Sequence, residues 1–532
     1  MSLHLLPLEL FHKILDIAVV DLGVRHATKL RLVNRFFDRE TLRAYARTKL
    51  LKDFRKAEPG LLPRICSSYC AAFLTRYLLE RPHTENTPTN GNFSALINYI
   101  VDELVKDDDE GEREQLRYQY MKTLCTRACS YAGRRCGILD NIFPKTPRPV
   151  SSVDSRYHVL VAAIYTGKSS VARCMLEDEQ MDVKEVKSDL FGTPLHAAVD
   201  MGHRDLVRVL LQRGDDVNLK ERPYGSDTPL YVAVRNRDEE MVRLLLEPHY
   251  GLTTSGPDFE EAIVRSLCHN QPGAAQLLLG RLTGKLSECR SVLTNGLRAA
   301  CRHGMVEIVQ LLLDHGGDVN ECLSCSRDIY EPTPIEYAAY AGQDEVLRLL
   351  LARGADPRGY AGGSYSMRAV AWGGHVSAAR ILLDAGLQLK PSSWPTVLEI
   401  TALCTGSAGV AQLILDRGLV DFTKLHEDPH EAEHCMVNVV LAACQQGNVG
   451  VIQALARHGV SLDDAALYAR HNYPPPIVAA MAFRHHLLVR ALRELGAPEV
   501  DPLDTILAED FINGKFPCDP PPPPERPISW WV

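Results

Sequence analysis

Glycines recur in pairs twelve positions apart along this chain, and this spacing limits the folds that it can adopt. Six pairs share it: Gly202/Gly214, Gly304/Gly316, Gly342/Gly354, Gly374/Gly386, Gly406/Gly418 and Gly447/Gly459. An amphipathic stretch lies between the two glycines of each pair and predicts a helix that the second glycine ends. The first glycine is expected to end a shorter helix in the left-handed conformation, which carries no steric penalty for glycine. Asn270 replaces a missing first glycine, and asparagine tolerates the same conformation.

The segments around these glycines are copies of one sequence unit. The clearest copy begins at Thr193 and reads TPLHAAVDMGHRDLVRVLLQRGDDVN. Its threonine can cap a helix, its proline suits the first helical turn, and its small alanines let neighbouring units approach closely. Successive copies start 32 to 41 residues apart. Clear copies begin at Thr193, Thr228, Asn295, Thr333 and Tyr365, and weaker ones at His158, Glu261, Val397, Asn438 and Pro475.

The tetrapeptide TPLH at Thr193–His196 is the one that opens ankyrin repeats, and the units resemble that family from about Ser155 to Pro498. The resemblance implies an all-α ankyrin-repeat solenoid over residues 151–498, with about ten helix–loop–helix stacks joined by β-hairpin loops. The shared residues build the scaffold. We therefore expect an unknown substrate protein to bind the variable positions of the loops and of the inner helix face, which forms the concave surface.

Two long inserts interrupt the repeats, at Glu321–Pro332 and Leu419–Val437. Each lengthens the connection between a second helix and the next unit. The sequence leaves open whether these inserts are binding loops or tolerated insertions.

A short helical module precedes the repeats in residues 1–50. The stretch LLPLELFHKILDIAV begins at Leu5 and LRLVNRFFDRETL begins at Leu30, and together they resemble the F-box up to about Tyr45. The resemblance implies docking onto the Skp-type adaptor of a cullin ubiquitin ligase through an apolar face. The alternative is a small helical cap on the first repeats. The residues carried over for adaptor binding are Leu6, Pro7, Leu10, Ile14, Leu15, Leu30, Leu32, Val33 and Phe36.

The remaining segments are less regular. Residues 51–150 are predicted to be a helical connector with acidic and polar loops, in which the acidic run Asp107–Glu112 is expected to be solvated. Residues 499–532 form a proline-rich tail. Its five consecutive prolines, Pro520–Pro524, favour polyproline II, either as a ligand for an aromatic groove or as a stiff linker that brings Trp530 and Trp531 onto the last repeat.

Composition excludes several classes of partner. The formal net charge of −8 argues against nucleic-acid binding, which needs clustered positive charge. No stretch of about 18 apolar residues predicts a membrane span, and the first residues lack the basic leader of a signal peptide. The 15 cysteines are therefore expected to be reduced thiols in a cytoplasmic or nuclear, soluble protein.

Two short motifs suggest metal chemistry, but their context argues against it. His426–His430 reads HEDPH and matches the zinc-protease pattern HExxH, which requires both histidines on one helix. Pro429 would break such a helix, and a helix that starts there leaves His426 outside it. Cys322 and Cys325 form a lone CxxC with no second pair nearby. We therefore predict no catalytic residue, no cofactor and no metal site.

The sequence thus predicts a protein-binding chain that is not an enzyme. The F-box resemblance favours a substrate-recognition subunit of a Skp–cullin–F-box ubiquitin ligase, with the repeats holding the substrate. The alternative is a ligase-independent scaffold or inhibitor in which the N-terminal helices only cap the array.

Overall fold

The computed structural model describes residues 8–27, 40, 41, 44, 93–132 and 155–497. Within the last range it leaves out residues 179–180, 182, 184–187, 189–190, 221–227, 284, 323–324, 327–328, 331, 361–363, 391–392, 405, 421–428 and 472. The chain divides into two compact units, Met1–Thr253 and Thr254–Val532. None of the described helices is long and apolar enough to cross a membrane.

The first unit contains nine described α-helices. They are α1 Leu8–Ala27, α2 Phe93–Leu104, α3 Glu110–Ala132, α4 Ser155–Tyr165, α5 Ser169–Glu177, α6 Pro194–Asp200, α7 Arg204–Gln212, α8 Pro229–Arg235 and α9 Glu239–Leu245. The last six form three helix–turn–helix pairs, α4/α5, α6/α7 and α8/α9, whose first helices pack side by side. A 3₁₀ turn, Pro248–Tyr250, follows α9.

The second unit continues the same pattern with seven described pairs. Its α-helices are α10 Pro257–Cys268, α11 Pro272–Arg281, α12 Leu297–His303, α13 Val306–Asp314, α14 Pro334–Ala341, α15 Asp344–Ala352, α16 Tyr365–Gly373, α17 Val376–Asp384, α18 Trp394–Leu403, α19 Ala408–Asp416, α20 Pro429–Gln446, α21 Val449–Arg457, α22 Ala465–Arg470, α23 Pro476–Ala482 and α24 His486–Glu494. The single helix α22 lies between the pairs α20/α21 and α23/α24. A 3₁₀ turn, Leu286–Glu288, and a π-helical segment, Val292–Gly296, lie between α11 and α12.

Threonine and proline start the first helices as the sequence predicts. The Thr193 hydroxyl accepts the backbone N–H of His196 at 3.3 Å, and Thr228 accepts that of Tyr231 at 3.2 Å. In both helices proline occupies the first turn, where its missing N–H leaves no hydrogen bond unmade. Because small residues such as Ala197 and Ala198 are fully buried, adjacent first helices lie close together.

Eleven of the twelve paired glycines have positive φ, which confirms the predicted left-handed helix ends at these positions. Gly406 is the exception, because α18 already ends at Leu403 and its cap, Cys404, is extended. Asn270 has a φ of 54° and replaces glycine as predicted. Arg237 and Arg484 adopt the same conformation at the equivalent positions of α8 and α23, which the sequence did not indicate.

The two inserts differ in structure. In Glu321–Pro332 the strands β1 Cys325–Ser326 and β2 Ile329–Tyr330 pair antiparallel, so this insert contains a β-hairpin. In Leu419–Val437 the second half is not a loop, because α20 begins at Pro429 and runs for 18 residues. This insert therefore extends a first helix by two turns, since the first helices of other pairs have 7 to 12 residues.

Candidate protein-binding surfaces

Helix α1 exposes three large aliphatic side chains on one side. Leu10 is 50%, Ile14 is 47% and Ile17 is 63% exposed. Their spacing of four and three residues places them on one helical face, which we call the α1 apolar face. Isolated exposed leucines are common, but a continuous apolar face on a helix marks a surface that another protein can cover.

The opposite side of α1 is buried. Phe11, Leu15 and Val19 are at most 5% exposed, and the imidazole Nε2 of His12 lies 2.8 Å from a carboxylate oxygen of the buried Glu40. Leu15, one of the predicted adaptor-binding residues, therefore belongs to the interior. Six others lie outside the described residues: Leu6, Pro7, Leu30, Leu32, Val33 and Phe36.

Helices α2 and α3 pack on each other and on α4, the first helix of the repeated pairs. Their contact is apolar, with Ile97, Ile100 and Leu124 fully buried. It also includes an ion pair between Asp108 and Lys168. The acidic run is therefore not wholly solvated, because Asp108 joins the connector to the repeats. These two helices therefore already contact the first helix of the first pair.

In the second unit, a two-row surface runs across the first helices α12, α14 and α16. Each helix contributes two residues four positions apart, which places both on the same side of that helix. We call these six residues the first-helix surface, although Arg298 and Glu336 are themselves buried: Arg298 and Arg302, Glu336 and Tyr340, and Arg368 and Trp372. Arg302, Tyr340 and Trp372 form the upper row and are half-buried.

Backbone contacts hold the upper row in register. The Gln343 side-chain amide donates to the Arg302 carbonyl at 3.2 Å, which links α14 to the end of α12. Gly373 packs directly against the Tyr340 carbonyl, so that a β-carbon there would clash with it. The three side chains therefore follow one another across adjacent helices.

Glu336 is the centre of the lower row and is 1% exposed. Its carboxylate accepts the backbone N–H groups of Thr333 at 3.2 Å and Tyr360 at 2.7 Å. Burial raises the pKa of Glu336 to about 7, and these two hydrogen bonds and the charges of Arg298 and Arg368 oppose the rise. A buried carboxyl thus lies between two cations and ties the loop before α16 to the start of α14.

The equivalent surface in the first unit is occupied by internal ion pairs. Asp200, which corresponds to Tyr340, accepts hydrogen bonds from Arg235 at 2.9 Å and from the Asn236 amide at 3.0 Å. Arg127 of α3 also pairs with Asp200, and its guanidinium lies 4.9 Å from the centre of the Tyr165 ring. These polar groups satisfy one another, whereas the second unit presents an arginine, a tyrosine and a tryptophan.

Only some residues of the two metal-like motifs lie within the described part of the chain. Helix α20 begins at Pro429, and the preceding His426, Glu427 and Asp428 are outside the described residues. Cys325 lies in strand β1 of the hairpin. Among the described residues, no group of three or more histidine, cysteine or acidic side chains is arranged to hold a metal ion.

A comparison of the sequence with family models identifies the repeated unit. A family model for ankyrin repeats matches residues 128–221, 160–258 and 263–360. Mouse Rabankyrin-5 is 28% identical over 164 residues, which cover 31% of this chain and 14% of that protein. The human transient receptor potential cation channel subfamily A member 1 is 24% identical over 48% of this chain and 22% of the channel. The Neurospora crassa ankyrin repeat protein nuc-2 is 23% identical over 52% of this chain and 29% of its own length.

The solved ankyrin repeat domain of human ASB11 is 20% identical, with a TM-score of 0.31 over 37% of this chain and 86% of that domain. The matched segments of the three relatives above span 14 to 29% of their lengths. The likeness therefore concerns only a part of each of these relatives. The predicted all-α ankyrin-repeat solenoid fold is confirmed, and the ankyrin repeats matched in residues 128–258 and 263–360 indicate a protein–protein interaction module.

Proposed function

We propose that this chain is the substrate-recognition subunit of a Skp–cullin–F-box ubiquitin ligase. The α1 apolar face would bind the Skp-type adaptor, and the first-helix surface would bind the substrate. The observation that carries the proposal is the exposure of Leu10, Ile14 and Ile17 within a segment that resembles the F-box. Such a role would place the protein in the cytoplasm or the nucleus.

The exposed residues of α1 refine the adaptor site. Leu10 and Ile14 would contact the adaptor directly, with Ile17, which the F-box resemblance did not include. Leu15 would support the helix from its buried side. The adaptor role of six further residues is proposed from the resemblance alone, because they lie outside the described part of the chain. They are Leu6, Pro7, Leu30, Leu32, Val33 and Phe36.

A cap on the repeats is the alternative role for the N-terminal helices, in a scaffold or inhibitor that acts without a ligase. Helices α2 and α3 favour the adaptor role, because they already pack on α4. A cap would bury its apolar residues against the repeats, whereas α1 exposes three of them.

The first-helix surface supports substrate binding by the types of its residues. Arginine, tyrosine and tryptophan are enriched in the central, energetically dominant parts of protein interfaces. A ligase subunit of this kind forms no covalent bond itself. It raises the effective concentration of the substrate near the ubiquitin-loaded enzyme, because both are held in one assembly.

The adaptor role is tested by binding of purified full-length protein to a purified Skp-type adaptor. The wild-type chain should bind, and the double variant Leu10→Asp, Ile14→Asp should lose at least tenfold in affinity, because charged groups would enter an apolar interface. Glu9→Lys is the matched control. It also changes the charge of an exposed residue, but lies about 100° around the helix from Leu10.

Two results would reject the adaptor role. One is absence of binding by the folded wild-type chain. The other is unchanged binding by a folded double variant. The capping role would be supported by two results together. The wild-type chain would not bind the adaptor, and the double variant would have repeats of lower thermal stability.

A further inference from the structure

Three arginines belong to the first-helix surface. Arg298 and Arg302 are on α12, and Arg368 is on α16. Glu336 of α14 is the one acidic residue among the six that define the surface. The surface therefore carries an excess of positive charge, in a chain whose formal net charge is −8.

The carboxylate of Glu336 is engaged within the protein. Its side chain is 1% exposed, and its two oxygens accept the backbone N–H groups of Thr333 and Tyr360. The charges of Arg298, which is 6% exposed, and of Arg368 oppose the effect of burial on the pKa of Glu336. The buried charges of Glu336 and Arg298 thus balance each other inside the repeats.

Two guanidinium groups of the surface belong to half-buried residues that solvent reaches, Arg302 and Arg368. The guanidinium carbon of Arg368 lies 5.4 Å from the centre of the Tyr365 ring. That ring meets the Tyr360 ring edge-on, with 6.1 Å between the ring centres. A cation–π contact of this kind orients the guanidinium group before a ligand binds, which lowers the entropic cost of binding.

Aromatic rings accompany these two charges. Tyr340 lies in the upper row between Arg302 and Trp372, and both rings are half-buried. Such rings offer a large, rigid surface to an apolar or proline side chain of a peptide. The combination of guanidinium groups and rings fits a segment in which acidic residues flank an apolar one.

The spacing of the helices sets the spacing of these acidic residues. Helices α12, α14 and α16 pack one against the next. Packed helices lie about 8–10 Å apart, so Arg302 and Arg368 are separated by about 16–20 Å across the array. An extended peptide advances about 3.3 Å per residue, so about five or six residues span this distance.

We propose that the first-helix surface binds an extended acidic segment of the substrate. Two acidic side chains, about five or six residues apart, contact Arg302 and Arg368, and an apolar side chain between them packs on Tyr340. The surface is the substrate surface of the proposed function, on which this inference rests. The acidic group is a carboxylate or a phosphate, because guanidinium groups bind both. A nucleic acid is disfavoured, since the net charge of −8 repels a long polyanion.

Selection of peptides of about ten residues from a random display library, on purified full-length protein, tests the inference. Enriched peptides should contain two acidic residues about five or six positions apart, with an apolar or proline residue between them. The most enriched peptide, synthesised with a fluorescent label, is then the probe. Fluorescence polarisation measures its affinity for the wild type and the variants.

The double variant Arg302→Ala, Arg368→Ala should weaken binding of the probe by about tenfold or more, because both charge contacts are lost. Arg302→Ala alone keeps both arginines beside Glu336 and should weaken binding by about threefold or more. Arg348→Ala, Arg380→Ala is the control. It removes the same charge from exposed positions of the second helices α15 and α17, and should leave the affinity unchanged.

A charge exchange tests the direct contact of Arg368. Arg368→Glu should lose the probe, and a probe with lysine in place of one acidic residue should bind Arg368→Glu more tightly than it binds the wild type. A change in folding alone does not produce this reversal. Phosphoserine in place of the acidic residues distinguishes the two sources of charge. Binding that is tighter by about tenfold indicates a phosphorylated substrate, and equal or weaker binding indicates carboxylates.

Enriched peptides without an excess of acidic residues would overturn the inference. Unchanged affinity of a folded Arg302→Ala, Arg368→Ala variant would also overturn it. The same holds for a single-stranded oligonucleotide that displaces the probe and binds more tightly, because the ligand would then be a nucleic acid.

Adaptor binding is measured on the same preparations of protein. If the adaptor binds and acidic peptides do not, the inference is wrong and the ligase role stands. If acidic peptides bind and the adaptor does not, the inference stands and the ligase role is rejected.

Discussion

The imidazole ring of His375 lies against Gly342 so closely that a β-carbon on that glycine would be 2.5 Å from ring atoms Cγ and Nδ1. The same relationship recurs between Gly447 and His485, where the distance would be 2.6 Å. His485 Nε2 donates to the carbonyl of Gln445, at 2.9 Å, at the end of the preceding first helix. The glycine that ends each of these helices therefore also makes room for a side chain of the next repeat.

Substitution of Gly342 tests this double role. Gly342→Ala should lower the free energy of unfolding by about 2–4 kcal/mol, because alanine must adopt a φ of +68° and must also displace His375. Gly354→Ala is the control, since its φ is +88° but no atom lies within 4 Å of the added carbon. It should lose only about 1–2 kcal/mol. Urea-induced unfolding measures both, and equal losses would contradict the contact with His375.

Asp215 should make the protein less stable as the pH rises. It occupies the position of Ala355 in a later repeat, is 7% exposed, and accepts only the backbone N–H of Asp216 among the described residues. Burial raises its pKa from 3.8 to about 7. A raised carboxyl pKa means that the folded state disfavours the charge, so stability falls between about pH 4 and pH 7 and then stays low.

Asp215→Ala should therefore stabilise the protein more at pH 8 than at pH 4, by up to about 4 kcal/mol. Thermal unfolding across this pH range measures the difference. Asp216→Ala removes a neighbouring, exposed carboxylate whose charge adds to the raised pKa of Asp215, and should reduce the pH dependence far less than Asp215→Ala does. A gain for Asp215→Ala that is the same at both pH values would be inconsistent with a buried, raised-pKa carboxyl.

The stability that Glu336 contributes should depend more on its oxygens as hydrogen-bond acceptors than on its charge. Glu336→Ala leaves two backbone N–H groups, those of Thr333 and Tyr360, without their acceptor, and should cost about 2–4 kcal/mol. The two N–H groups use different carboxylate oxygens, so Glu336→Gln keeps an acceptor for one of them and places an amide NH2 opposite the other; it should cost less than Glu336→Ala. Chemical denaturation near pH 7 compares the two. If both variants lose the same stability, the number of hydrogen bonds that Glu336 accepts does not determine its contribution.

The sequence predicts the repeats well because each signal is local. Thr193 and Pro194 start a helix, and glycines such as Gly202 end one, through interactions within a few residues. The pairing of Gly342 with His375 joins two repeats and has no local signal. At Gly406 the local signal predicts a left-handed helix end that the structure does not have, because α18 ends three residues before this glycine. The left-handed Arg237 and Arg484 are held by their repeats, although arginine has no intrinsic preference for that conformation.

The candidate surfaces were predicted less completely. The F-box resemblance included the exposed Leu10 and Ile14, but it also included Leu15, which is buried, and it left out Ile17, which is exposed. For the substrate, the sequence predicted binding at the variable positions of the loops and of the inner helix face, but it did not indicate which residues. Its residues became evident from the packing of neighbouring helices, which places Arg302, Tyr340 and Trp372 in one row.

In the proposed function, adaptor and substrate bind two separate surfaces of one chain. Affinity capture from cells with quantitative mass spectrometry tests it directly, using wild type and two double variants. Leu10→Asp, Ile14→Asp should lose the Skp-type adaptor and keep the other captured proteins. Tyr340→Ala, Trp372→Ala should keep the adaptor and lose at least one other protein by tenfold or more. A result in which both variants lose the same proteins, or neither loses any, would contradict two independent binding surfaces.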